Sequence, residues 1–141
     1  MKALFLCILV MFLASCSPFG FNSMGYEVLH EDLDTAWQKV AAMEYQDDPE
    51  DYCKSPIEFF QDGGGDCEDF AIALIYLLGP SASFIGIESA IGKHAIVKYD
   101  SLYLEPSIYG VYYNPYKTSI LVQYTYDYVI KIATLSGTKK L

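Results

Sequence analysis

The sequence predicts an α+β domain in which helices come first and an antiparallel sheet comes after them. Two observations carry this. Apolar residues recur at helical spacing as far as Leu78, and beyond Pro80 they switch to short runs with strand character. Stop and turn residues punctuate the change: Gly63-Gly64-Gly65, Gly79-Pro80, Gly92-Lys93 and Asp100-Ser101. The chain has 141 residues, and the part beyond its N-terminal segment is the size of one compact domain.

The N-terminal segment is Lys2 and then an apolar run from Ala3 to Ala14. That run is shorter than the roughly 20 residues of a membrane span and has the form of a secretory signal core. It ends in Leu13-Ala14-Ser15-Cys16, which resembles the lipobox of bacterial lipoproteins. There the cysteine takes a diacylglyceryl thioether and becomes the new N-terminus. An ordinary signal peptide cleaved nearby is the alternative. The expected organisation is a signal peptide over 1–15, a lipidated tether over 16–25 and a folded domain over 26–141. Two or three acyl chains would hold the domain at a membrane, where a single chain binds only marginally.

The first helix is expected between Glu31 and Glu44. Leu33, Ala36, Trp37, Val40 and Ala41 form its apolar stripe, Asp32 or Asp34 its cap, and Trp37 its large anchor. His30 precedes it in a polar stretch and reads as a solvated surface residue. Ser55-Pro56-Ile57-Glu58 is a strong helix start, with Ser55 at the N-cap, Pro56 in the first turn and Glu58 closing a capping box. The helix it opens runs to about Gln61. A third helix is expected to start at or beside Cys67 and to run to about Leu78, apolar on all sides and therefore buried.

Strands are expected over 83–90, 94–99 and 102–105, and a last strand region over about 120–134. In that last region Tyr124, Tyr126, Tyr128, Ile130 and Ile132 would share a face. If Asp100-Ser101 is a two-residue hairpin loop, His94 falls opposite Ser107, and His94 and Glu105 share one face of the sheet.

The formal net charge is −9 and every Lys or Arg is a lysine, which argues against nucleic acid and anionic lipid as partners. With Cys7 in the signal and Cys16 at the lipobox, Cys53 and Cys67 remain in an exported setting, where a disulfide is one reading. The surroundings of Cys67 give the other. It stands just after a glycine run and begins an apolar helix, whose N-terminal partial charge and N–H groups favour a thiolate and an oxyanion. The glycines would let a substrate backbone approach. A thiol, then His94, then Glu105 are the parts of a cysteine nucleophile site. No CxxC or HxxxH spacing supports zinc.

Taken in order, Trp37…Val40, Asp47-Asp48, Tyr52…Ser55-Pro56-Ile57-Glu58-Phe59, Gly64-Gly65-Asp66-Cys67-Glu68-Asp69-Phe70-Ala71, Lys93-His94-Ala95-Ile96-Val97 and Tyr103-Leu104-Glu105 resemble the bacterial transglutaminase-like cysteine peptidases. The resemblance covers about residues 30 to 110, and Gly-Asp-Cys-Glu-Asp-Phe-Ala is its specific block. It implies a papain-like, transglutaminase-core fold. Cys67 would be the nucleophile, His94 the general base and acid, and Glu105 the group that orients the imidazole. Family members more usually carry Asp at the third position. The segment after the first helix is also shorter than in many of them. The resemblance further implies that Asp66 and Glu68, which flank the nucleophile, are candidate Ca²⁺ ligands. The plain alternative is that first-turn acids complement the helix dipole. No cofactor is required.

The expected function is a lipid-anchored peptidase or amidase of the bacterial cell envelope, facing periplasm or exterior. It would act as a monomer on a peptide or protein amide. The competing expectation is a catalytically inactive binding lipoprotein on the same fold.

Overall fold

The computed structural model describes residues 30–48, 52–90, 92–108, 111–112 and 119–134. The signal, the Cys16 lipidation site and the tether lie outside the described residues.

Helix α1 spans Leu33–Ala41, and Asp32 is its cap: Thr35 N–H donates to Asp32 Oδ1 at 3.0 Å. Ala36 and Val40, four apart, are buried. Trp37 is only partly buried and packs at the edge of the core. His30 is exposed as expected, but its ring sits edge-on to Tyr126 with centroids 5.7 Å apart. Helix α2 spans Pro56–Asp62 and carries the full capping box. Glu58 N–H donates to Ser55 Oγ at 3.3 Å, and Ser55 N–H donates to Glu58 Oε2 at 2.7 Å. Gly63, at φ 78°, ends α2 in the left-handed conformation that favours glycine.

Helix α3 spans Cys67–Leu78 with the bounds the sequence predicts. Phe70, Ile72, Leu74, Ile75 and Leu78 are among its buried side chains. Each contributes roughly 1.5–3 kcal/mol by leaving water. Phe59 of α2 meets Phe70 edge to face at 4.9 Å, which locks the two helices together.

Two short strands, β1 (Glu44–Tyr45) and β2 (Gly64–Gly65), form a parallel ladder of their own. The main sheet has five strands: β3 (Ala82–Ser89), β4 (Gly92–Tyr99), β5 (Leu102–Glu105), β6 (Val111–Tyr112) and β7 (Ser119–Thr125), in the order β6-β5-β4-β3-β7. Its neighbouring strands pair antiparallel. Phe84, Ala95, Val97 and Leu104 of this sheet join the α3 side chains in the main core.

Two features differ from the sequence reading. The last strand stops at Thr125, and Tyr126–Ala133 is a helix, α4. Tyr126, Val129, Ile130 and Ala133 stand at i, i+3, i+4 and i+7, and Val129 and Ala133 are buried. Asp127 in the first turn and Lys131 four residues later suit a helix and its dipole. The alternating tyrosines mask this period. Tyr124 and Tyr128 stack at 4.7 Å across the strand–helix junction rather than along one strand face.

The second feature is the parallel ladder, with Glu44 opposite Gly64 and Tyr45 opposite Gly65. Gly64 has φ 148°, and a Cβ there would lie 1.8 Å from the Glu44 carbonyl oxygen. A Cβ on Gly65 would lie 2.3 Å from Asp69 Oδ2. The space beside both glycines is therefore filled by the protein itself, not kept for a substrate backbone.

Gly64→Ala should consequently lower unfolding stability by about 3 kcal/mol or more, as overpacked sites do. Gly63→Ala, where nothing lies within 4 Å of the added Cβ, should cost only the left-handed penalty of about 1–2 kcal/mol. Urea unfolding of the two variants measures the contrast, and equal losses would contradict the close-packing account.

Candidate active site

Cys67 is the first residue of α3, and its placement is decided by the residues on either side. Asp66 is the N-cap: its Oδ1 accepts the N–H groups of Glu68 at 3.1 Å and Asp69 at 3.3 Å. Asp69 reciprocates, its Oδ2 accepting the Asp66 N–H at 3.2 Å. Its Oδ1 accepts the Lys54 N–H at 2.8 Å. Asp69 is 1% exposed, and burial pushes its carboxyl up to about 6. The Lys54 N–H opposes that rise, and the neighbouring Asp66 charge adds to it.

Lys54 is the residue that sequence reasoning missed. Its Nζ donates to the Gly64 carbonyl at 2.9 Å and to Gln46 Oε1 at 3.3 Å, and pairs with Asp62 Oδ2 at 3.1 Å. It thereby ties the approach to Cys67 to both sides of the short ladder. These partners are eight or more residues away or are backbone groups, so no periodicity or motif signals them.

His94 lies on β4 opposite Ile87 of β3. Glu105 ends β5, next to Leu104, which pairs with Val97 of β4. The register is the one a two-residue Asp100-Ser101 loop dictates, and Asp100 takes the positive φ of 51° that such a turn needs. His94 Nε2 approaches Glu105 Oε1 at 2.5 Å, with both side chains 9% exposed. The contact is close but is not an aligned hydrogen bond, because Nε2 has no hydrogen-bond partner of good geometry. Ser107 is not the partner expected for His94. The strand ends at Glu105, and Pro106–Ile108 turn into a 3-10 helix. Pro106 has no N–H to extend the ladder.

Cys67 and His94 line one cavity of about 190 Å³, together with Glu68 and Lys93. Two of the expected catalytic residues thus share a cavity, and the third touches the second. Cys67 is partly exposed, whereas Cys53 is buried in the core, and neither is in a disulfide. The expected Ca²⁺ ligands Asp66 and Glu68 do flank Cys67, but Asp66 Oδ1 is committed to two backbone N–H groups. Among the described residues no group of three or more His, Cys, Asp or Glu side chains is arranged to hold a metal ion.

No protein-family model matches the chain, and no curated protein does. Solved structures do match. EGTA-treated LapG from Legionella pneumophila superimposes with a TM-score of 0.55 at 25% identity, over 65% of this chain and 61% of that one. LapG in a second structure gives 0.52 at 25% identity, over 67% and 66% of the two chains. Its calcium-bound form gives 0.53 at 23% identity, over 77% and 71%. This chain spans less than two thirds of the length of the first two. The fold is a papain-like transglutaminase core, a helix headed by cysteine packed on an antiparallel sheet. LapG is a transglutaminase-like cysteine protease.

The buried Asp69 makes stability depend on pH with a defined sign. Its folded value of about 6 lies above the ordinary 3.8, so the folded state holds the proton more tightly. Its contribution is fully present below the lower value and is lost as pH rises through the higher one. The stability advantage of the wild type over Asp69→Asn should therefore shrink between about pH 4 and about pH 6, the span of the two values. Urea titrations at several pH values read this, and an advantage that grows with pH would reverse the assignment.

Proposed function

We propose that this chain is a cysteine peptidase or amidase that acts by acyl transfer on a peptide or protein amide. The observation that carries the reading is the shared cavity of Cys67 and His94, with Glu105 in contact with the imidazole. Because Nε2 faces Glu105, Nδ1 is the nitrogen that exchanges a proton with the Cys67 thiol. The thiolate attacks the carbonyl carbon. The C–N bond breaks, the imidazolium proton goes to the leaving amine, and a thioester remains. Water activated by the same imidazole hydrolyses the thioester and regenerates the thiol. Glu105 holds the ring and stabilises its protonated form.

The oxyanion donor in this scheme is the Cys67 backbone N–H, because Asp66 holds those of Glu68 and Asp69. A calcium ion on Asp66 and Glu68 is part of the reading only as a structural ligand. Carbonyls or water would have to complete its coordination, and no chemical step depends on it.

The lipid anchor on Cys16 and the envelope location rest on the N-terminal sequence pattern. They imply a substrate at or near the membrane surface. The LapG likeness supports the peptidase class, and the substrate itself is this protein's own.

Cys67→Ala should abolish peptide hydrolysis, and His94→Ala should lower it by about 10²–10⁴-fold. Both variants should retain the wild-type circular dichroism spectrum. A folded, reduced protein whose Cys67 resists iodoacetamide, read by intact mass, would sink the catalytic assignment. Separately, Cys16→Ala in the full chain should move the protein from the membrane fraction to the soluble fraction. Retention in the membrane pellet would contradict lipidation at that residue.

A further inference from the structure

The cavity beside Cys67 has a chemically divided lining. Its charged members, Glu68 and Lys93, are the sequence neighbours of Cys67 and His94. The rest of the wall comes from the sheet and includes Phe84, Gly86, Ala95, Leu121 and Val122, which are apolar. In strand order the cavity runs from His94 on β4, across β3, to Leu121 and Val122 on β7. Two strand spacings separate its ends, about 10 Å.

The floor lies on β3. Gly86 pairs with Ala95 on one side and Val122 on the other. A Cβ on Gly86 would sit 2.6 Å from Val122 Cγ2, so the valine occupies the space a larger residue at Gly86 would take. Val122 therefore sets the depth of the far end, and Leu121, 48% exposed, stands beside it.

We propose that this far end is the specificity pocket for the acyl side of the substrate, and that it selects one aliphatic or phenyl-sized side chain close to the scissile carbonyl. The proposal rests on the cysteine-hydrolase reading above and adds the substrate class. The polarity of the site follows from proton transfer. The leaving amine must lie at His94 to take its proton. The end of the cavity two strands away is then left for the acyl portion. The size follows from volume: the whole cavity, catalytic end included, measures about 190 Å³, and roughly 150 Å³ already admits a benzene ring, so the far end holds no more than one aliphatic or phenyl-sized side chain. The polarity of the selected group follows from the wall, which offers a buried charge no partner.

The test uses tripeptidyl acyloxymethyl ketones carrying Leu, Phe, Asp, Lys or naphthylalanine at either of the two residues before the ketone. Iodoacetamide, which needs no pocket, is the control. Intact mass reads alkylation of Cys67. Leu and Phe probes should label the wild type about 10- to 100-fold faster than Asp or Lys probes at one of the two positions. Val122→Ala should raise the naphthylalanine-to-leucine rate ratio by about 10-fold. Each ratio is taken within one protein, so a smaller folded fraction does not distort it.

Rapid iodoacetamide labelling with equal rates for all peptide probes would overturn the pocket while leaving the cysteine-hydrolase reading intact. Preference for a charged probe would do the same. Failure of iodoacetamide itself would overturn the underlying reading, and the pocket with it.

Discussion

Asp69 is the constraint through which the site is assembled. Its carboxylate closes the cap on Asp66, takes the N–H of Lys54 and fills the space a side chain at Gly65 would need. Those three contacts fix where α3 begins, and so where the Cys67 sulfur stands. The strand before the helix and the segment carrying Lys54 are held in the same step. A buried carboxylate is costly unless paired and hydrogen-bonded. Here two backbone N–H donors offset part of that cost, and the upward push on its carboxyl to about 6 reflects the part that remains. The site thus gives up stability for geometry, as preorganised sites do.

The same arrangement bears on the crowding of acids around a thiolate. Four carboxylates, Asp62, Asp66, Glu68 and Asp69, lie within a few residues of Cys67, and like charges oppose ionisation of the sulfur. The structure reduces that opposition by distributing the carboxylates among other partners. Asp62 pairs with Lys54, Asp66 caps two amides, and Asp69 accepts the backbone N–H groups of Lys54 and Asp66. The helix N-terminus then acts on the sulfur in the favourable direction.

What the sequence made legible were the locally specified features. The Ser55-Pro56-Ile57-Glu58 box, the start of α3 at Cys67 and the Asp100-Ser101 hairpin each depend on residues within about four positions of one another. For that reason they read correctly. The meeting of His94 and Glu105 came from the hairpin register alone. What stayed hidden depends on partners far along the chain. The β1–β2 ladder brings Glu44 to Gly64, and Lys54 bridges to Gln46 and the Gly64 carbonyl. The glycine run looked like room for a substrate, because sequence cannot show that a carbonyl and a carboxylate already occupy it. Helix α4 was hidden differently. Two periods coexist in its sequence, and the tyrosine alternation is the louder one, although burial of Val129 and Ala133 obeys the other.

Glutamate at the third position raises a geometric question that the fold answers. An extra methylene lengthens the reach and adds a rotamer, so an imidazole held by glutamate needs its strand to stop sooner or its backbone to turn. Strand β5 does end at Glu105, and Pro106 turns the chain into a 3-10 helix packed near α3. The side chain is thereby buried and confined against His94, where a freely solvated glutamate would sample several rotamers. Confinement by the strand end and the proline turn compensates for the longer side chain. The His94–Glu105 contact at 2.5 Å is the outcome. The short connection between β4 and β5 is part of the same solution, because a two-residue loop leaves no slack by which the register, and with it the pair, could slip.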